Sequence, residues 1–239
     1  MIVVAPARAL ALRVPTWEAM SSAVTRLERG QIVGRDELVR RLLSVGYLAT
    51  AKVEQEGCVA VRGDVVDVWP ALSRRPVRID FFDDEIESLR RLNLTKPSAS
   101  ADVASVVISP ARELQLNAAS AERLSHVLNA EVEAQGRGVR LRRRVLEDVR
   151  QGIWFSAIED YLPALVDTIA PIALFEHAQV LVVSPDDVGA VLREFERSSL
   201  SRWQELDEEE RPLLSPAHRY VPAVDTLAAL ANARSVFGF

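Results

Sequence analysis

Between residues 58 and 92 the chain keeps a two-residue period. CVAVRG (58–63), DVVDVWP (64–70), PVRIDFF (76–82) and EIESLRRL (85–92) are separated by turn-forming residues, the pattern of consecutive β-strands. In PVRIDFF, Val77, Ile79 and Phe81 share one face, and Arg78, Asp80 and Phe82 share the other. An apolar face packed on a core is ordinary. A second face bearing an arginine, an aspartate and a phenylalanine calls for a separate explanation.

Just upstream the period becomes helical. RDELVRRLLSVGY (35–47) repeats Leu38, Leu42 and Val45 at helical spacing, with Asp36 and Glu37 in the first turn and Gly46 placed to end the helix. Helix and strands together predict a compact α+β module over roughly 32–95. TKPSASADV (95–103) reads as a flexible exit and VASVVISP (103–110) as a further strand.

The flanks read as α/β. IVVAP (2–6) is predicted to be a short buried strand and ARALALRVP (7–15) a brief helix stopped by Pro15. A strand directly at the first methionine looks like the middle of an α/β unit. It would leave an open edge, so a dimer through that edge or a partly ordered N-terminus is expected. Residues 119–150 are helical in pattern. VLVVSPDDV opens a strand–helix unit, with Ser184 as candidate N-cap, Pro185 at the first helical position and Asp187 three residues on.

Composition removes several functions. Apolar residues make up 49% and charged residues 26% of the 239, enough for a sizeable core. A net charge of −5 argues against a chain that coats nucleic acid, and no apolar run reaches the roughly 18 residues of a membrane helix. The single Cys58 excludes an internal disulfide and fits a cytoplasmic setting. Lysine occurs only at Lys52 and Lys96, neither preceded by glycine, so there is no Walker A loop. His126, His177 and His218 have no ligand spacing, so no metal or cofactor is expected. Ser184 and Ser215 lack a nucleophile elbow, and DDEIE (83–87) reads as a solvated turn. The arginines at 140 and 142–144 read as a solvated helix face paired with Glu147 and Asp148. No enzyme constellation remains. Arg62 and Arg78 fall on strands read as neighbours. The pattern alone is equally compatible with a docking surface that includes Phe82 and with a structural ion-pair cluster of Arg62, Arg78, Asp64 and Asp80.

The stretch GYLATAKVEQEGCVAVRGDVVDVWPALSRRPVRIDFFDDEIESLRRL resembles the second domain of the bacterial transcription-repair coupling factors (Mfd). The resemblance rests on Gly46, Tyr47, Gly57, Arg62, Gly63, Asp67, Pro70, Arg78, Phe82, Glu85, Ile86, Ser88 and Arg90. IVVAPARALALRVP, VISPARE (107–113), IEDYLPAL (158–165) and VLVVSPDDV are similar to flanking segments of that family. Two departures stand out: Trp69 replaces a phenylalanine or tyrosine, and Ala157 stands where the family has glycine before Ile158. The helicase UvrB shares the architecture.

The resemblance implies a degenerate UvrB-like, RecA-type α/β domain with an inserted small α+β domain. Residues 1–31 would close domain 1a, 32–103 form the UvrA-binding domain 2, and 104–239 form domain 1b. It implies a non-enzymatic adaptor for UvrA, the damage-sensing ATPase of nucleotide excision repair, with Arg62, Arg78 and Phe82 as the UvrA contacts. RNA polymerase and DNA would be engaged only through parts of the family absent from this sequence. The family's C-terminal domain, which covers the UvrA face at rest, is one of those parts, so binding without autoinhibition is expected. The alternatives are an inactive piece of a DNA-translocating helicase and a stand-alone paralogue that titrates UvrA.

Overall fold

The computed structural model describes residues 2–175, 177–232 and 236–238. The chain forms two compact units: Glu18–Asn117, and Met1–Trp17 together with Ala118–Phe239. The predicted interval 32–103 lies inside the first.

In chain order, a 3-10 turn (Ala7–Ala11) is followed by β1 (Val14–Pro15), α1 (Trp17–Ser22), β2 (Thr25–Glu28) and α2 (Arg35–Ser44). Next come β3 (Leu48–Ala49), β4 (Cys58–Arg62), β5 (Val65–Val68), β6 (Val77–Phe82) and β7 (Glu85–Arg91). β8 (Ala101–Asp102) and β9 (Ser105–Ile108) complete the first unit. The remainder of the second unit holds α3 (Ala118–Gln135), α4 (Val139–Arg150), α5 (Leu162–Leu165), β10 (Thr168–Ile169) and β11 (Val180–Val182). It ends with α6 (Pro185–Glu205), α7 (Pro216–Arg219), α8 (Ala223–Ala231) and β12 (Val236–Gly238).

The first unit is a six-stranded sheet in the order β3-β4-β5-β6-β7-β8, antiparallel except for β3 beside β4. Its alternation works as the sequence predicts. Val66, Val68, Val77, Ile79, Phe81 and Leu89 are buried on the back face, in one core with Leu38 and Leu42 of α2. β2 pairs antiparallel with β9 and adds Leu27, Val106 and Ile108 to that core. α2 stops where Gly46 turns left-handed at φ 93°, its N–H returning to the Leu43 carbonyl and that of Tyr47 to Leu42. The Tyr47 hydroxyl donates to the Ser109 carbonyl at 2.7 Å and accepts from the Ala71 N–H at 3.3 Å. Burial pushes this phenol up to about 12.

Several expectations change. Residues 2–6 form no strand; they are irregular, with Ile2, Val3 and Val4 exposed, so the expected open edge is not there. A continuous apolar run of five residues is too weak a signal without a partner strand. Residues 7–15 yield only the 3-10 turn and β1, which pairs with β10. The exit segment 95–103 is tied down: the Asn93 side chain accepts from the N–H groups of Thr95 and Lys96, and β8 pairs with the end of β7. Such an asparagine-centred turn is local structure that a polar composition conceals.

In the second unit α3 and α4 form a helical hairpin burying Leu124, Leu128, Val145 and Val149. β11 leads into α6 as predicted, with Pro185 at its first turn, and pairs parallel with β12. Ser184 takes the N-cap position but makes no side-chain capping bond. Its backbone is left-handed at φ 53°, whereas a capping serine needs an extended backbone to aim its hydroxyl at the first-turn amides. Among the described residues no helix is long and apolar enough to cross a membrane.

Candidate interaction surface

The front face of the sheet is built from the alternate residues of the same strands, those that point away from the core. One cross-strand row runs Ala60–Asp67–Arg78–Arg90–Asp102, and the next runs Arg62–Val65–Asp80–Ser88. Residues directly opposite one another share a face, so charged side chains from five strands converge. β5 lies between β4 and β6. Arg62 and Arg78 are therefore not on neighbouring strands, as the sequence suggested, and a third residue joins them.

That residue is Asp67. It is 4% exposed, the one charged residue that is buried among the described residues. Arg78 donates from Nε to Oδ1 at 2.8 Å and from Nη2 to Oδ2 at 2.9 Å. Arg62 donates from Nη2 to Oδ2 at 2.8 Å. Burial alone would raise the Asp67 carboxyl, but the hydrogen bonds and charges of Arg78 and Arg62 together outweigh it and hold it below its ordinary value. The bond to Asp67 in turn raises Arg78. The side chains of Arg62 and Arg78 remain 57% and 33% exposed.

Of the two arrangements compatible with the sequence pattern, the ion-pair cluster is formed, with a different acceptor. Asp64 lies in the β4–β5 turn and faces Arg35 at 3.6 Å, while Asp80 accepts a hydrogen bond from Ser88. The signal was available: a two-residue turn at Gly63-Asp64 puts Arg62 opposite Val65, and hence Asp67 opposite Ala60. Arg90 and Asp102 form a further exposed pair at 3.0 Å on the same face.

Phe82 closes this face at the β6–β7 turn. It is 68% exposed and stands four residues from Arg78, about 13 Å along the strand. The structure brings the two arginines together through Asp67 and leaves Phe82 apart from them on the same face. The turn that follows uses Asp83 in a left-handed conformation, which aspartate tolerates better than most residues.

In the second unit an open groove of about 960 Å³ runs along α4 from Gly138 to Asp148. Arg140, Arg143 and Arg144 line it beside Glu147, Asp148 and Glu208; the three arginines are exposed, as a solvated helix face requires, but the expected pairing with Glu147 and Asp148 is not formed among the described residues. Among the described residues no group of three or more His, Cys, Asp or Glu could hold a metal ion.

Residues 25–114, the segment that builds this sheet, match the family described as the UvrB interaction domain. That segment belongs to the UvrB interaction domain family. Beyond it, the chain is similar over 97% of its length to the transcription-repair-coupling factor of Escherichia coli, at 26% identity and over 20% of that protein. The Bacillus subtilis transcription-repair-coupling factor is 35% identical over 47% of this chain and 10% of its own length. The UvrABC system protein B of Halobacterium salinarum is 29% identical over 76% of this chain and 27% of its own length. The chain therefore spans a tenth to a fifth of the coupling factors of Escherichia coli and Bacillus subtilis. Arg62, Arg78 and Phe82 all lie on the exposed face of this UvrB interaction domain, opposite its core.

Proposed function

We propose that this chain is a non-enzymatic adaptor of nucleotide excision repair whose front sheet face docks UvrA through Arg62, Arg78 and Phe82. The observation that carries the reading is the Asp67 clamp. A buried carboxylate fixes two half-exposed guanidinium groups while leaving Nε and Nη1 of Arg62 and Nη1 of Arg78 without an acceptor among the described residues. Pre-set forks of this kind suit charge-assisted bonding to partner carboxylates at small entropic cost. Phe82 supplies an apolar anchor, an aromatic of the kind enriched in the buried centre of interfaces.

Family membership of residues 25–114 and similarity to coupling factors and UvrB support placing this adaptor in excision repair, in a cytoplasmic setting. The strand–helix unit β11–α6, with its parallel neighbour β12, supports reading the second unit as UvrB-like α/β. The absence of a Walker A loop from the sequence supports a role without ATP hydrolysis or a resident cofactor.

Calorimetry against purified UvrA tests the proposal. The Arg78→Ala/Phe82→Ala variant should bind at least ~30-fold more weakly. Phe82→Ala alone, which leaves the Asp67 clamp intact, should account for a substantial share. Unchanged binding in both variants would return these residues to structural roles.

A further inference from the structure

The Phe82 end of the face contains a second apolar side chain that the motif does not mark. Residues 30–33 leave β2 through Gly30, left-handed at φ 81°, and lie antiparallel to the start of β7. Three backbone hydrogen bonds fix them there: Gly30 N–H to the Ile86 carbonyl at 2.8 Å, Ile86 N–H to Gln31 at 2.9 Å, and Val33 N–H to Asp84 at 2.7 Å. The last two flank Ile32 and Glu85, which makes these residues a directly opposed pair of the closer, non-hydrogen-bonded kind. Glu85 is also opposite Phe82 across the hairpin. Ile32, Glu85 and Phe82 thus form one cross-strand row on the front face, with the outer two roughly 10 Å apart, two strand spacings.

Both outer residues are bare: Ile32 is 80% exposed and Phe82 is 68% exposed. Single exposed apolar residues are common on proteins. Here two occupy one row on a fixed backbone, on the face that also carries the Asp67-held arginines, with an exposed carboxylate between them that makes no ion pair among the described residues. Little conformational entropy remains to be lost when such a row is covered.

We infer that Ile32 and Phe82 are the two prongs of a single anchor and that the docked partner takes both into one apolar cleft, with a lysine or arginine of its own opposite Glu85. Covering the row removes Glu85 from water, which a carboxylate accepts only with a cationic partner. The partner surface is therefore mixed in sign: carboxylates over Arg62 and Arg78, a cation over Glu85, and an apolar cleft flanking that cation. Charge complementarity of this alternating kind sets register and rejects partners that are merely acidic.

This inference rests on the proposed docking of UvrA, and the same calorimetry separates the two. Ile32→Ser should weaken UvrA binding about 10-fold, and Glu85→Lys should weaken it by at least as much. Glu85→Gln should cost less and flatten the salt dependence. Leu72→Ser, at an exposed loop residue at the far end of the sheet, should bind as the unaltered chain does. Because Ile32 is exposed, unfolding midpoints should stay unchanged, and Ile32→Ala provides a milder truncation if Ser disturbs the pairing. Full affinity in both Ile32 variants, with Arg78→Ala/Phe82→Ala defective, overturns the two-pronged anchor and leaves the adaptor standing. Tighter binding by Glu85→Lys overturns the cationic counterpart. No binding by the unaltered chain overturns both readings.

Discussion

Replacing Asp67 with asparagine tests whether the front face is held together as described. The substitution keeps the volume and one acceptor oxygen but removes the charge and at least one of the three hydrogen bonds, since Oδ2 accepts two of them and Oδ1 one. Removing one member of a fully buried ion pair costs about 3–5 kcal/mol, and exposed pairs are worth ~0–1 kcal/mol. Asp67 is buried, yet both guanidinium groups reach water and can rehydrate once released. The cost should fall between those limits, at about 2 kcal/mol. Native-state hydrogen exchange at the amides of β5 and β6 reads this locally, within the Glu18–Asn117 unit.

Acid supplies an independent sign. The folded-state value of Asp67 lies below its ordinary one, so its contribution is complete above the unfolded-state value near ~4 and is lost as pH falls through the folded value. The stability gap between the native chain and Asp67→Asn should be constant from about pH 5 to 8 and should shrink below ~4. A gap below about 0.5 kcal/mol at neutral pH would refute the clamp, since such a value is ordinary for a surface substitution. A gap that widens in acid would refute the assigned charge balance.

Two backbone predictions follow. Gly46→Ala should destabilise the first unit by about 2 kcal/mol or more, because φ is 93° and a Cβ would lie 2.5 Å from Cγ of Arg112; a neutral unfolding midpoint would contradict this. Ala157→Gly should stabilise the second unit by ~0.5–1 kcal/mol, the relief of a left-handed alanine (φ 66°) less the added freedom of glycine in the unfolded chain, read as a raised Tm. A lowered Tm would count against it.

The period-two run made the sheet legible, because each of its strands buries one face and a slip by one residue would expose it. Helix α2 was equally plain, with apolar spacing, acidic first turn and glycine stop all agreeing. Residues 2–6 show the opposite case, where a few apolar residues without a partner did not make a strand. β2 and the 30–33 segment went unseen because their pairing partners, β9 and the start of β7, are remote in sequence. At the site, Arg62, Arg78 and Phe82 were visible as residue types misplaced on a strand. Asp67 stood in the family pattern, but its role was legible only through register, since a lone aspartate amid valines looks like an outward-facing polar residue until its neighbours across two strands are known.

Asp67 also explains how a small sheet can present arginines without paying the disorder that long cationic side chains usually bring. An isolated surface arginine loses rotamer freedom when it binds, which cancels much of the gain. Here a buried carboxylate imposes that loss during folding, against a core that supports it from the other face. It neutralises one positive charge of the two, so the cluster of Arg62, Arg78 and Asp67 keeps one net positive charge and three directed donor positions. The five-residue spacing from Arg62 to Asp67, with its tight turn at Gly63-Asp64, is what brings Asp67 within reach of Arg62 while β6 supplies Arg78. Lengthening that turn would keep Arg62, Arg78 and Phe82 in the sequence and still separate Arg62 from Asp67.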